Sequence, residues 1–160
     1  MIQLRLYRPE DLPTLVQLFY GTVTSVCAGD YSAPQIRAWA AGSERLLNDP
    51  EFFSRLHTVV AETDGRIVGY GNMDRTGYLD HLFVHKDFQG KGAATAICDA
   101  LEKYATSLSV PAVTVHASIT ARPFFASRGY RTVKEQLVSV RGVSMTNFAM
   151  ELPLKQKEKQ

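Results

Sequence analysis

Apolar residues recur at helical spacing in some stretches of this chain and alternate with polar ones in others. Met1 to Tyr7 alternates, which predicts a strand over about residues 2–7. Arg8-Pro9-Glu10-Asp11 then opens a helix. Proline is tolerated in a first turn, and acidic side chains suit the positive end of the helix dipole. Leu12, Leu15, Val16, Phe19, Val23 and Val26 form its apolar stripe, and Gly29-Asp30 ends it. A second helix is expected from Pro34, anchored by Ile36, Ala38 and Trp39, with Asn48-Asp49-Pro50 as its stop. His57 to Glu62 reads as a strand, Asp64-Gly65 as a tight hairpin turn, and Arg66 to Met73 as the antiparallel return.

Arg75-Thr76-Gly77 turns the chain into a further strand over Tyr78 to His85. Ala94, Ile97, Cys98, Leu101, Tyr104, Ala105 and Leu108 then share one face of a helix over about 91–108. A short buried strand, Ala112 to His116, and a short helix, Thr120 to Arg128, follow, with Gly129 as the helix stop. Tyr130 to Val140 and Val143 to Leu152 form a last hairpin across Arg141-Gly142. The order β-α-α-β-β-β-α-β-α-β-β predicts an α/β fold with a mixed, mostly antiparallel sheet flanked by helices. One domain is expected over residues 1–154. The tail 155–160 is charged, has no apolar residue and is expected to be disordered.

Composition narrows the function classes. The chain has 160 residues, 45% hydrophobic and 21% charged, with a net charge of +2. That is ordinary for a globular protein and too weakly basic to argue for nucleic acid; no Lys/Arg stripe with interleaved aromatics is present. No apolar run reaches about 18 residues, so no helical membrane span or membrane partner is expected, and the cytoplasm is the default location. Cys27 and Cys98 lie far apart, without Cys-x-x-Cys spacing, and fall on apolar helix faces. Both are expected to be structural thiols. His57, His85 and His116 have no metal-ligand spacing, so no metal is expected.

The chemistry concentrates at Gln89-Gly90-Lys91-Gly92-Ala93-Ala94, where a strand runs into the long helix. Glycines let a backbone approach a ligand closely, and a helix start offers unpaired N–H groups at the positive dipole end. Such a turn holds phosphate or diphosphate. A P-loop is excluded, because Gly90-Lys91 is followed by Gly92 and no glycine stands five residues earlier. A Rossmann turn is excluded too, because Thr95 occupies its last small-residue position. A nucleotide-binding protein of another kind stays open, and it predicts protection by ATP or NAD.

The pattern Gln/Arg-x-x-Gly-x-Gly/Ala is met by Gln89, Gly92 and Ala94 behind Leu82-Phe83-Val84. It resembles the pyrophosphate loop of the GNAT superfamily of acyl-CoA-dependent N-acyltransferases. A second signature of that family is Asn-x-x-Ala-x-x-Phe-Tyr, then three residues and Gly-Phe/Tyr. Ser118, Ala121, Phe124, Phe125, Gly129 and Tyr130 fall on this spacing, with serine for asparagine and Phe125 for tyrosine. The order of elements is also that of the GNAT fold.

The resemblance implies transfer of an acetyl group from acetyl-CoA to a primary amine, by direct attack in a ternary complex. The acceptor would be a small molecule or a protein amine, and a homodimer is the prior expectation for such an enzyme. Gln89, Gly90, Lys91, Gly92, Ala93 and Ala94 would wrap the diphosphate, with Lys91 either beside it or simply solvated. Leu82, Phe83 and Val84 would lie on a bulged, splayed strand whose main chain binds the pantetheine amides. Ser118, Phe124 and Phe125 would line that arm. Tyr78 stands where family members often carry a glutamate base. Asp80, two residues on and on the same face before any bulge, is the first candidate for the base; it is equally suited to hold a backbone N–H or an arginine. His81 is expected to point the other way. Phe125 has no proton for the leaving thiolate, so Tyr130, Tyr78, Tyr31 or water must supply it. Tyr31, Gln35 and Trp39 would meet the acceptor, Trp39 as an aromatic wall or as a core anchor. The missing Phe125 hydroxyl also supports a different reading, an acyl-CoA-binding sensor with little or no turnover.

Overall fold

The computed structural model describes residues 1–155. The charged tail lies, apart from Lys155, outside the described residues. Strand β1 (Gln3–Leu6) leads through a 3-10 turn at Pro9–Asp11 into α1 (Leu12–Ser25). Asp11 fixes that turn. Its carboxylate accepts from the Arg8 backbone N–H at 2.8 Å and from both terminal nitrogens of Arg5 at 2.7 and 2.9 Å. Short helices α2 (Ala33–Ala40), α3 (Gly42–Leu47) and α4 (Phe52–Arg55) follow. Ser32 and Gln35 cap α2 reciprocally.

The second helix expected from Pro34 is therefore two helices broken at Ala41. Helix α4 was not anticipated in Glu51 to Leu56.

Strands β2 (His57–Thr63), β3 (Arg66–Met73) and β4 (Tyr78–Val84) form an antiparallel meander with β1. After a 3-10 turn at Lys86–Phe88 come α5 (Ala93–Ser107), β5 (Ala112–Ser118), α6 (Arg122–Ser127), β6 (Arg131–Val140) and β7 (Val143–Pro153). The seven strands lie in the order β1-β2-β3-β4-β5-β7-β6. Only β4 and β5 run parallel. The mixed, mostly antiparallel sheet matches the architecture read from the sequence, with element bounds shifted by a residue or two. No helix among the described residues is long and apolar enough to cross a membrane.

Two cores flank the sheet. Ile97, Cys98, Leu101 and Ala105 of α5 pack with Val113 and Val115 on one face. Leu15, Phe19, Val23 and Phe53 pack with Val60 and Tyr70 on the other. Fully burying a side chain such as Leu15 or Ile97 contributes about 1.5–3 kcal/mol.

Two irregularities in β4 build the site. It pairs with β5 only at Tyr78–Thr114 and Leu79–Val115. Beyond them β4 follows β3 as far as Gly69–Val84, while β5 follows β7 as far as Ser118–Asn147. The carboxyl ends of the two parallel strands diverge into a wedge. The second irregularity is a bulge: Asn72 faces His81 and Met73 faces Leu79, which leaves Asp80 as the extra residue. Leu79 packs in the α5 core, whereas His81 rings with Phe19 and Phe53 on the α1 face. Two residues apart should share a face, so the bulge has reversed the alternation.

Candidate active site

The wedge opens into a cleft of about 740 Å³ that passes through the sheet. Its two ends belong to different cores. Ala93, Ala94, Phe124 and Phe125 line one end from the α5 face. Phe19, Tyr31, Trp39 and Met145 line the other from the face of α1 and α2. Asp80 and His81 lie on the wall at the bulge between them.

At the α5 end the turn after β4 is pinned from two sides. The Val84 carbonyl accepts from Thr22 Oγ1 at 2.9 Å and from Gln89 Nε2 at 2.6 Å. The Gln89 side chain thus holds the loop closed, and its backbone is what remains for a ligand. Gly90 has φ +71° and Gly92 φ +90°, conformations that side chains resist. Nothing lies within 4 Å of a Cβ built at either one. The space over these glycines is open, and the first N–H groups of α5 have no partner within the helix.

At the centre, the Asp80 carboxylate makes no hydrogen bond or ion pair among the described residues. It reaches solvent through the cleft. Its pKa is nevertheless raised above the ordinary value, first by desolvation and then by the charge of Asp74, with His116 opposing. An unpaired carboxylate shifted toward neutrality in a cleft is suited to take a proton. Beside it, burial holds His81 neutral, with its pKa pushed down to about 4. The Tyr70 hydroxyl lies 2.9 Å from His81 Nδ1. Burial and the Asp80 charge keep that phenol protonated, and the imidazole tautomer sets which of the two groups donates. Cys27 also lines the cleft, but burial raises its thiol to about 11, so it is not a thiolate at neutral pH. Cys98, in the α5 core, is raised to about 12.

A family model described as an acetyltransferase (GNAT) domain matches residues 27–152. The N-acetyltransferase YafP of Escherichia coli K12, described as uncharacterized, is 38% identical over 149 residues, covering 93% of this chain and 94% of that one. The chain belongs to the GNAT superfamily of N-acetyltransferases. A crystal structure of a GCN5-related N-acetyltransferase from Rhodopseudomonas palustris superposes with a TM-score of 0.92 at 34% identity, covering 95% of both chains. The PaiA N-acetyltransferase of Thermoplasma acidophilum, solved with coenzyme A, shares the fold at a TM-score of 0.76 and 19% identity, covering 96% of this chain and 99% of that one.

In this GNAT chain, every residue expected at the cofactor lines the cleft except Lys91. Lys91 is exposed, with its ammonium 5.2 Å from the centre of the Phe88 ring. Ser118 Oγ accepts from the Ala121 N–H at 3.0 Å, which leaves its own proton to donate. Phe125 is buried edge-on against Tyr130.

The three tyrosines weighed as acids lie in different places. Tyr130 is buried outside the cleft wall and donates to Glu102 Oε2 at 2.8 Å; burial, then Glu102, raises its pKa. Tyr78 sits beside His116, also outside the wall, with its pKa raised by burial and then by Asp80. Tyr31 lines the cleft, but its hydroxyl donates to the Thr146 carbonyl and accepts from the Ile119 N–H, both at 2.8 Å. Gln35 likewise spends its amide, on Ser32 and the Ser144 carbonyl, and does not line the cleft. Trp39 does line it, edge-on to Tyr31.

Sequence reasoning missed Thr22, Phe19, Met145 and the inward turn of His81. Phe19 and Met145 were readable as apolar positions, but no spacing marked them as cleft wall. His81 was misdirected because nothing in Leu79-Asp80-His81 announces a bulge.

Proposed function

We propose that this protein moves an acetyl group from acetyl-CoA to a primary amine, with both substrates bound together. The observation that carries the reading is the divergence of β4 from β5 after Leu79 and Val115, directly before the open glycine turn of α5. Main-chain groups of residues 82–84 that would have paired with β5, the doubly bonded Val84 carbonyl excepted, are available to pantetheine amides, and the turn 89–94 to the diphosphate. A backbone N–H on this strand facing the thioester oxygen would contribute about 3–4 kcal/mol to lowering the barrier.

The acceptor amine enters from the face of α1 and α2. Asp80 takes its proton as the nitrogen attacks the thioester carbonyl. The carbon–sulfur bond breaks, and the thiolate takes its proton from water, since each tyrosine weighed as the acid is either bonded elsewhere or off the cleft wall. The protonated Cys27 thiol supports direct transfer over an acyl-enzyme.

Initial rates with both substrates varied, following free thiol, test this. Intersecting double-reciprocal lines are expected, whereas parallel lines would overturn direct attack. A Gly92→Leu variant should lose coenzyme A affinity by at least about tenfold, because the side chain occupies the open backbone face at positive φ. Tight coenzyme A binding with no turnover on any amine would instead favour the sensor.

A further inference from the structure

We propose that the acceptor is a monoamine with an aromatic or bulky aliphatic body and no carboxylate. This rests on the transfer reading above and names the substrate class for the same cleft. The acceptor end is a wall of rings and aliphatic side chains: Phe19, Trp39, Phe83, Val140 and Met145. Phe19 meets Phe83 edge-on at 5.0 Å between ring centres, and Trp39 lies 6.4 Å from Phe83. The polar groups that helices α1 and α2 bring near this wall are already used. The Tyr31 hydroxyl is bonded to Ile119 and Thr146, and Gln35 is bonded to Ser32 and Ser144.

Charge then limits what can occupy the space. Asp80 is the single carboxylate among the described residues that line the cleft, and no lysine or arginine lines it. One carboxylate can offset one ammonium. A polyamine or an aminoglycoside would bring further cations into an apolar space with no partner, which is costly. An α-amino acid would bring a carboxylate with no cation to meet it. Asn147 Oδ1, on the same wall, is buried without a hydrogen-bond partner. An unpaired acceptor oxygen suits an N–H donor, so it favours the amine nitrogen over an acidic group.

Trp39 is the only tryptophan of the chain, so its fluorescence reads this wall directly. With coenzyme A bound, phenethylamine should change Trp39 emission saturably, and phenylalanine and spermidine should not. With acetyl-CoA, thiol release should favour phenethylamine over phenylalanine, spermidine and an alanine-starting peptide by about 100-fold in kcat/KM, the discrimination that a mispaired group produces at an apolar site. Phenethylamine and phenylalanine differ only by the carboxylate. Equal or better use of phenylalanine, spermidine or the peptide would overturn the proposal. So would coenzyme A binding with no Trp39 response to phenethylamine. A Trp39 response without turnover on any amine would support the pocket assignment and overturn the transfer reading, which separates the two failures.

Discussion

Replacing Asp80 by asparagine removes the cleft's carboxylate while keeping its size. Only the neutral form of an alkylamine attacks, about one part in a thousand at pH 7 for a pKa near 10, with or without Asp80. The carboxylate takes the proton that the nitrogen sheds as its bond to carbon forms. Both proteins should therefore lose rate as pH falls below the amine pKa, and D80N should run a further about 10²–10⁴-fold below the wild type at pH 7, the usual range for general-base catalysis. The wild type should also show an acid limb set by Asp80, displaced above the ordinary carboxylate range because desolvation raises that pKa. D80N should lack this limb.

Stability provides the control. A carboxyl whose pKa is raised on folding helps the folded state below its ordinary pKa, and that help is lost as pH rises through the raised value. At pH 7 the Asp80 charge works against the fold, so D80N should melt at or above the wild-type temperature. The assay is kcat/KM from pH 5 to 10 by thiol release, with thermal melts of both proteins. An acid limb that persists in D80N, or an undiminished rate, would refute the proton-transfer role, and a lower melting temperature would show that Asp80 supports the structure instead.

Gly71→Ala should destabilise by about 1–3 kcal/mol, because the new Cβ would lie 2.7 Å from Ile97 Cγ2 and 3.1 Å from the His81 carbonyl. At about 2–4 °C per kcal/mol, an unchanged melting temperature would contradict the close seating of α5 on β3. Tyr31→Phe should cost about 1–3 kcal/mol in urea unfolding by leaving the Ile119 N–H and the Thr146 carbonyl unpaired; no change would mean that the bridge contributes nothing. His81, neutral by burial with its pKa lowered from 6.5 to about 4, stabilises the fold above pH 6.5, and that contribution is lost as pH falls toward 4. The wild type should lose about 3 kcal/mol over that window in excess of a His81→Gln variant, and parallel stability curves would refute the buried neutral imidazole.

The order of strands and helices was readable because hydrophobic period and turn residues agree along most of the chain. Asp64-Gly65 and Arg141-Gly142 turn at positive φ as their hairpins require. The glycine turn was readable for the same reason. What the sequence did not reveal depends on long-range partners. Gln89 was visible as a loop position, but its amide's return to the Val84 carbonyl was not. Tyr130 fell on a family spacing, yet its hydroxyl is set by Glu102, far back on α5. Trp39 was left as either wall or core anchor; it packs against the second core and lines the cleft, because that core forms one end of it.

The bulge at Asp80 explains why one position can serve two faces of the sheet. In a regular strand Leu79 and His81 would share a side, and the imidazole would enter the α5 core beside Ile97. The inserted residue instead turns His81 and Phe83 toward α1, where they complete the aromatic wall. Leu82 and Val84 stay with the α5 core that flanks the glycine turn. Asp80 is left at the crossing, with no cross-strand partner in β3 and beyond the last residue paired with β5. Deleting Asp80 would set Leu79 directly beside His81 in regular alternation, which leaves His81 and Phe83 on the wall and removes the carboxylate alone. Such a chain should retain coenzyme A affinity at the glycine turn and the Trp39 response to amines, yet lose turnover. If turnover survives, Asp80 does not take the proton; if the Trp39 response is lost, the bulge itself shapes the wall.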